Sequence, residues 1–296
     1  MSVGSKLVAI VGPTASGKSD LAMELAQKFN GEIICADSRT IYRYMDIGTA
    51  KPSEQEMLQV PHHLLSIAEP DQRFSAAKFK ELSLAAITDI AVKGRLPIMV
   101  GGTGLYIDSV LYDYQFPGGG SERRTVSSER SAQKMAEELL AADPEAAQKI
   151  DIKNPRRVAR ALETVGLPRS KSDRLRPNSL VLGLTLNKKV IQRRISDRTE
   201  KMLEEGLLAE VKFVGEKFGW DNEALRAPAY RAFKDVILGQ KSVEEGAADF
   251  VRRDINLAKR QMTWFKRNQD IVWLEASNPF ALSSEAKELV VNFLKA

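Results

Sequence analysis

The sequence predicts an α/β protein: a doubly wound, mostly parallel sheet with a small helical domain inserted into it. Three observations carry this. Lys6–Val11, Glu32–Asp37 and Leu96–Val100 are short apolar runs of buried-strand length. The first and third each enter a glycine-rich turn and then a stretch with helical spacing. The pattern breaks once, at Phe116-Pro117-Gly118-Gly119-Gly120-Ser121, before polar helix-forming sequence.

The first turn is the most specific. Gly12-Pro13-Thr14-Ala15-Ser16-Gly17-Lys18-Ser19 satisfies G-x-x-x-x-G-K-[ST] at every fixed position. Behind it, Leu21, Leu25 and Phe29 share one helical face with Ala22 and Ala26. The strand, loop and helix order required of a P-loop NTPase-like core is complete. Backbone N–H groups of such a loop turn inward around an anion, and the helix N-terminus adds partial positive charge. Lys18 supplies a full charge, and the Ser19 hydroxyl suits Mg²⁺. The loop implies a bound diphosphate or triphosphate and leaves open which bond breaks.

Along the chain, Asp37 ends the second strand and should emerge at the carboxyl edge, facing the ligand crevice. Asp46–Pro52 has loop chemistry. Helical spacing runs to Val92, and Gly94 is placed to end that helix. Gly101–Tyr106 forms the second glycine-rich turn. Residues 121–150 read as polar helices around Met135, Leu139 and Leu140, with Gly118–Gly120 as a hinge. Asn154 and Pro155 open a further helix. Val181–Leu186 is a fourth strand, a long helix spans about 188–218, Ile271–Leu274 is a last strand, and 284–295 a closing helix. The expected division is a core over 1–117, a helical insert over 118–153, and core completion over 154–296.

Composition excludes several classes. No apolar run approaches the ~20 residues of a membrane span, and the chain enters its first strand too early for a signal peptide. The single cysteine, Cys35, excludes an internal disulfide and fits a reducing cytoplasm. It reads as core. His62 and His63, adjacent and without a cysteine cluster, read as structural.

Charge is uneven. Residues 1–118 hold 11 Lys+Arg against 13 Asp+Glu, and the remainder holds 33 against 26. Lys153–Arg176 carries eight bases against two acids. Arg252-Arg253, Lys259-Arg260 and Lys266-Arg267 recur every seven residues, a basic stripe interleaved with Gln261 and Trp264. A solvated helix face has this look. So does a surface for a nucleic-acid backbone with a base nearby.

From the residues alone, phosphoryl transfer comes first, with Asp37 as an acid on Mg²⁺. A non-enzymatic RNA-binding module leaves the complete phosphate loop unexplained. The specific motifs change the order. Beyond the phosphate loop, Ala36-Asp37-Ser38-Arg39 with Tyr42 and Met45-Asp46-Ile47-Gly48-Thr49-Ala50-Lys51-Pro52 stand out. So do Pro61–Leu65, Val100–Tyr106, Arg156-Arg157 with Arg160–Glu163, and Lys259-Arg260-Gln261 with Thr263-Trp264-Phe265. Together they resemble the tRNA dimethylallyltransferases, also called tRNA isopentenyltransferases.

That resemblance implies transfer of a dimethylallyl group from dimethylallyl diphosphate to N6 of adenosine 37 in tRNA, with diphosphate released. It implies Asp37 as general base, Thr103 as a channel residue, and Arg198 stabilising the diphosphate held by Gly12–Ser19, with Mg²⁺ at Ser19. It places Asp37, Ser38, Arg39, Thr40, Thr103, Arg156, Arg157, Arg160, Lys259, Arg260, Gln261, Trp264 and Arg267 against the tRNA anticodon stem-loop, Gln261 and Trp264 near displaced bases. The expected partners are tRNA and dimethylallyl diphosphate, with no membrane; the expected state is a cytoplasmic monomer. Alternatives are transfer to free adenine nucleotides and a small-molecule kinase. The sequence departs from the family at Thr40, where glutamine is frequent, and at Ala229 and Ala232, which replace a glutamine and a glycine.

Overall fold

The computed structural model describes residues 4–116, 131–166 and 171–296, and of Arg156 the backbone alone. The chain divides into two compact units. One comprises residues up to Leu111 and from Arg174 onward, and the other is Tyr112–Asp173.

The first unit begins with β1 (Leu7–Val11), α1 (Lys18–Lys28), β2 (Gly31–Cys35), α2 (Glu54–Gln59) and β3 (His62–His63). It continues with α3 (Ala76–Val92), β4 (Leu96–Gly101) and α4 (Gly104–Leu111). All strand pairings are parallel, in the order β3-β2-β4-β1 and on to β5 (Ser179–Thr185) and β6 (Ile271–Glu275). The sheet grows outward from β1 in both directions, so β1 lies at the point where the winding reverses and a crevice opens beyond the carboxyl ends.

Alternation sorts the strand residues to two buried faces. Val8, Ile10, Ile33, Ile98, Leu182 and Leu184 pack with Leu21 and Leu25 of α1 and with Ala286 and Val290 of α12 (Pro279–Lys295). Leu7, Ala9, Val11, Ile34 and Met99 point the other way and are equally buried. α3 packs on β2 and β4 on its way to α4. Both faces are covered, which explains why the strands read as continuous apolar runs.

The stretch read as one helix over 188–218 is two: α8 (Lys188–Glu204) and α9 (Leu207–Phe218). Gly206, at φ 101°, breaks it with a left-handed residue. A 3₁₀ turn (Ala224–Arg226), α10 (Pro228–Ile237) and α11 (Val243–Phe265) follow. These helices bury a separate cluster with Ile41, Tyr42 and Met45 from the loop after β2. Gly94, at φ 67°, ends α3 as expected, and the closing helix begins earlier than 284, at Pro279 with Asn278 as its cap.

The second unit contains α5 (Ala132–Ala142), α6 (Pro144–Lys149) and α7 (Pro155–Leu162). Met135 and Leu139 pack on Ala147, Val158, Ala161 and Leu162. Leu140 is exposed, because it falls off the i, i+4 edge that Met135 and Leu139 share. Asn154 caps α7 through Arg157 N–H, with Pro155 at its first position. The unit's limits are wider than 118–153, and α7 packs on α5 and α6 within it. The Gly118–Gly120 hinge and residues 121–130 lie outside the described residues.

The closest backbone approach that positions the site is at Gly101. A Cβ there would stand 2.1 Å from the carbonyl oxygen of Ala36, which itself accepts a bond from Thr103 N–H. Gly101→Ala is expected to cost about 3 kcal/mol of stability, read as a lower midpoint in urea unfolding.

Candidate functional site

Beyond the carboxyl ends of β1, β2 and β4 lies a cavity of about 690 Å³. Thr14–Asp20 form one side, Asp37–Thr40 and Gly48–Pro52 a second, and Gly101–Gly104 a third. α8 and α11 complete it with Arg198, Asp254, Arg260, Gln261 and Trp264.

The phosphate loop turns because two glycines allow it. Gly12 (φ 145°) passes so close to β5 that a Cβ would stand 2.9 Å from Leu184 O, and Gly17 (φ 88°) leads into α1. Lys18 Nζ donates to Pro13 O at 2.6 Å across the loop. Burial pushes its pKa down to about 8 and Arg198 pushes the same way, while Asp37 and Asp254 partly oppose them. Ser16 Oγ is buried without a hydrogen-bond partner among the described residues. Ser19 is exposed on the cavity lining.

The loop is braced by α8 and α11. Thr14 N–H donates to Gln261 Oε1 at 2.7 Å, Arg198 Nη2 to Thr14 Oγ1 at 3.0 Å, and Arg194 Nη1 to Ala15 O at 3.3 Å. Arg198 Nη2 also meets Asp254 Oδ2 in a short ion pair. Burial raises the Asp254 pKa, against the opposing pull of Arg198.

β2 stops at Cys35, and Asp37 follows two residues later at its carboxyl end, with Oδ1 accepting from Arg39 N–H at 2.8 Å. Thr103 Oγ1 accepts from Ser38 N–H at 3.0 Å, so β2 and β4 hold the two side chains against one cavity. Thr40 Oγ1 is buried at the lining and unpartnered among the described residues. Cys35 is buried, its thiol pushed up to about 12 by desolvation and then by Asp37, which is a core cysteine's condition. His63 bonds Glu32 and His62 bonds Val60 O, both structural contacts, although His62 also borders the cavity.

The loop over 46–52 is held from α9. Asp46, Ile47 and Gly48 all donate their N–H groups to the Glu210 carboxylate at 2.8 Å, and Tyr230 O–H joins at 2.6 Å. Ala229 and Ala232 are fully buried beside Tyr230 in α10. They do not line the cavity.

The basic residues divide. Arg157 is exposed on α7 and Arg160 pairs with Glu163; both, like the Arg156 backbone, belong to the second unit. On α11, Arg252 and Arg253 share the one Asp249 carboxylate, so only half the charge of the stripe's first step is offset. Lys259, Arg260 and Arg267 are exposed. Gln261 and Trp264 border the cavity, but their polar groups are engaged in the protein. Gln261 is buried against Thr14, and Trp264 Nε1 donates to Asp108 at 2.8 Å with its ring over Gly104. Without a ligand, these two residues brace the cavity wall.

Sequence reasoning passed over Asp254, Glu210 and Asp108. Asp254 had a signal: an acid at i+4 from Phe250 and i−4 from Ala258, in the middle of an apolar edge. Glu210 had none, because nothing local links it to residues 46–48.

The model of the family described as IPP transferase matches residues 40–268, most of the chain. The chain belongs to the IPP transferase family. It is 41% identical to a tRNA dimethylallyltransferase of Geobacillus thermodenitrificans, over 96% of this chain and 95% of the relative. It is 39% identical to one of Bacillus licheniformis over the same shares. Among solved structures, a tRNA isopentenylpyrophosphate transferase of Bacillus halodurans is similar with TM-score 0.76 and 36% identity, covering 99% of this chain and 97% of that one. A eukaryotic dimethylallyltransferase acting on tRNA is similar with TM-score 0.85 and 27% identity, covering 97% and 78%. The P-loop NTPase-like architecture is thus that of this family. No helix among the described residues is long and apolar enough to cross a membrane.

Gln261 carries the brace most directly. Gln261→Leu removes the acceptor that fixes the part-buried Thr14 N–H, loosens the loop, and is expected to weaken binding of inorganic diphosphate by roughly tenfold, from the ~1–3 kcal/mol such a bond supplies. Isothermal titration checks it.

Proposed function

We propose that this IPP transferase moves a dimethylallyl group from dimethylallyl diphosphate to N6 of adenosine 37 in tRNA, releasing diphosphate. The observation that carries the reading is the cavity itself. A phosphate loop with Lys18 and Arg198 and a separate carboxylate, Asp37, face one space, as transfer from a diphosphate to an acidifying amine requires.

The roles follow from the chemistry. As the allylic C–O bond breaks, its electron pair goes to the diphosphate, and negative charge grows there. The Ala15–Ser19 stretch of the loop, the α1 N-terminus, Lys18 and Arg198 border the space where that charge grows. The unpartnered Ser16 hydroxyl is a further donor at the same place. The adenine amine, conjugated with its ring, is a weak nucleophile. Asp37 orients it and takes its proton as the C–N bond forms. Thr103 accepts from Ser38 N–H and so keeps its own O–H free to donate to a diphosphate oxygen or to the base. Asp37 and Thr103 line a recessed cleft, so the target base leaves its stack to reach them.

Mg²⁺ fits this cavity. Ser19 offers a hydroxyl on the lining at the first turn of α1, and Mg²⁺ takes few protein ligands, keeping water and substrate oxygens. When bound there it would neutralise diphosphate charge.

Exposed Lys259, Arg260 and Arg267 on α11, with Arg156, Arg157 and Arg160 on α7, suit the phosphates of an anticodon stem-loop. Ser38, Arg39 and Thr40 follow the base at the acceptor side. The reading is of a monomer acting in the cytoplasm on tRNA.

The first test incubates radiolabelled dimethylallyl diphosphate and Mg²⁺ with unmodified tRNA, AMP or ATP in parallel. Label in tRNA is expected; label in AMP or ATP, or none anywhere, overturns the reading. Asp37→Ala is expected to lower turnover by roughly 10²–10⁴-fold with tRNA binding nearly kept, measured by filter binding beside the transfer assay. Lys259→Ala combined with Arg267→Ala is expected to weaken tRNA binding and flatten its dependence on log salt by about one to two units.

A further inference from the structure

Asp254 is an unusual residue for an anion site. It lies on α11 between Phe250 and Ala258, only 4% exposed, and it borders the cavity that the proposed reading fills with a diphosphate. A buried carboxylate beside a bound polyanion repels it, and burying the carboxylate itself is costly. A site shaped for anion affinity alone would carry a neutral residue there.

What Asp254 touches explains its presence. Its Oδ2 meets Arg198 Nη2, the same nitrogen that donates to Thr14 Oγ1 of the phosphate loop. Arg198 Nε is buried and has no hydrogen-bond partner among the described residues. The guanidinium is therefore fixed at one end, by an acid on α11 and a hydroxyl on the loop, and retains an uncommitted donor. Lys18 lies within the field of the same acid. Ligand-free, the cluster balances two cations, Lys18 and Arg198, with two carboxylates, Asp37 and Asp254. A diphosphate entering it competes directly with Asp254 for Arg198.

We infer that Asp254 is a positioning residue that holds Arg198 on the phosphate loop between turnovers and, by reclaiming it, weakens the grip on diphosphate after transfer. This rests on the proposed diphosphate chemistry and adds product release to it. The step is an exchange of ion-pair partners at Arg198; no covalent bond changes.

The charge argument and a merely structural role predict opposite signs. Isothermal titration of inorganic diphosphate in Mg²⁺ is compared for the full chain and for Asp254→Asn, which keeps the side chain's size and one acceptor oxygen. Loss of the repelling charge is expected to tighten diphosphate binding about tenfold and to deepen product inhibition in the transfer assay by a similar factor. Asp249→Asn is the control: that acid also pairs with arginines on α11 but does not line the cavity, and it should leave diphosphate binding as it was. If Asp254→Asn melts below the assay temperature, Asp254→Ser, smaller and equally neutral, gives the same comparison. Unchanged or weaker diphosphate binding in a folded variant overturns the inference. Failure of the unaltered protein to label tRNA overturns the proposed function instead, and leaves the titration readable.

Discussion

A site for a diphosphate must keep amides and cations aimed into a cavity where, without the ligand, each would sooner satisfy itself elsewhere. The structure meets this by bracing the phosphate loop from outside. Gln261 takes the Thr14 amide, Arg198 takes the Thr14 hydroxyl, and Arg194 takes the Ala15 carbonyl. All three come from α8 and α11, helices that follow the loop by well over a hundred residues. The strand-to-helix turn supplies the groups, and the later helices hold them in place. Preorganisation of this kind is what makes fixed donors effective toward charge that develops during a reaction.

The division explains what was legible in the sequence. The loop, Asp37 and the glycine turn after β4 were readable because each depends on neighbours in the chain: a strand before, a helix after, a glycine where φ or a close approach demands one. The parallel strands were readable because burial on both faces leaves continuous apolar runs. The break at Gly206 was missed because apolar spacing persists across it, with Met202 before and Leu207 and Val211 after. The internal hydrogen bonds of the braces were not legible. The seven-residue recurrence on α11 placed Gln261 and Trp264 beside basic residues, but which side of a helix meets a partner is decided by packing. Here that side meets Thr14, Gly102 and Gly104.

The insert shows the same limit from another side. Its caps were plain, since Asn154 and Pro155 announce a helix start locally. Its extent was not, because α7 joins α5 and α6 through Val158, Ala161 and Leu162, contacts that no local pattern specifies. The basic residues there are sequence neighbours of the core strand that follows, yet they belong to the second unit.

Glu210 has a consequence for how this family can be rearranged. Its carboxylate receives three successive peptide N–H groups from residues 46–48, much as a bound anion would. One cavity wall, from Gly48 to Pro52, is therefore registered to α9 and not to the strand that precedes it. Residues 45–52 and Glu210 are one structural unit, tied by those hydrogen bonds. A chimera that imports the loop from a relative lacking the acid strands three amide dipoles around a hydrophobic cluster, whereas one that carries both pieces transplants the wall with its anchor.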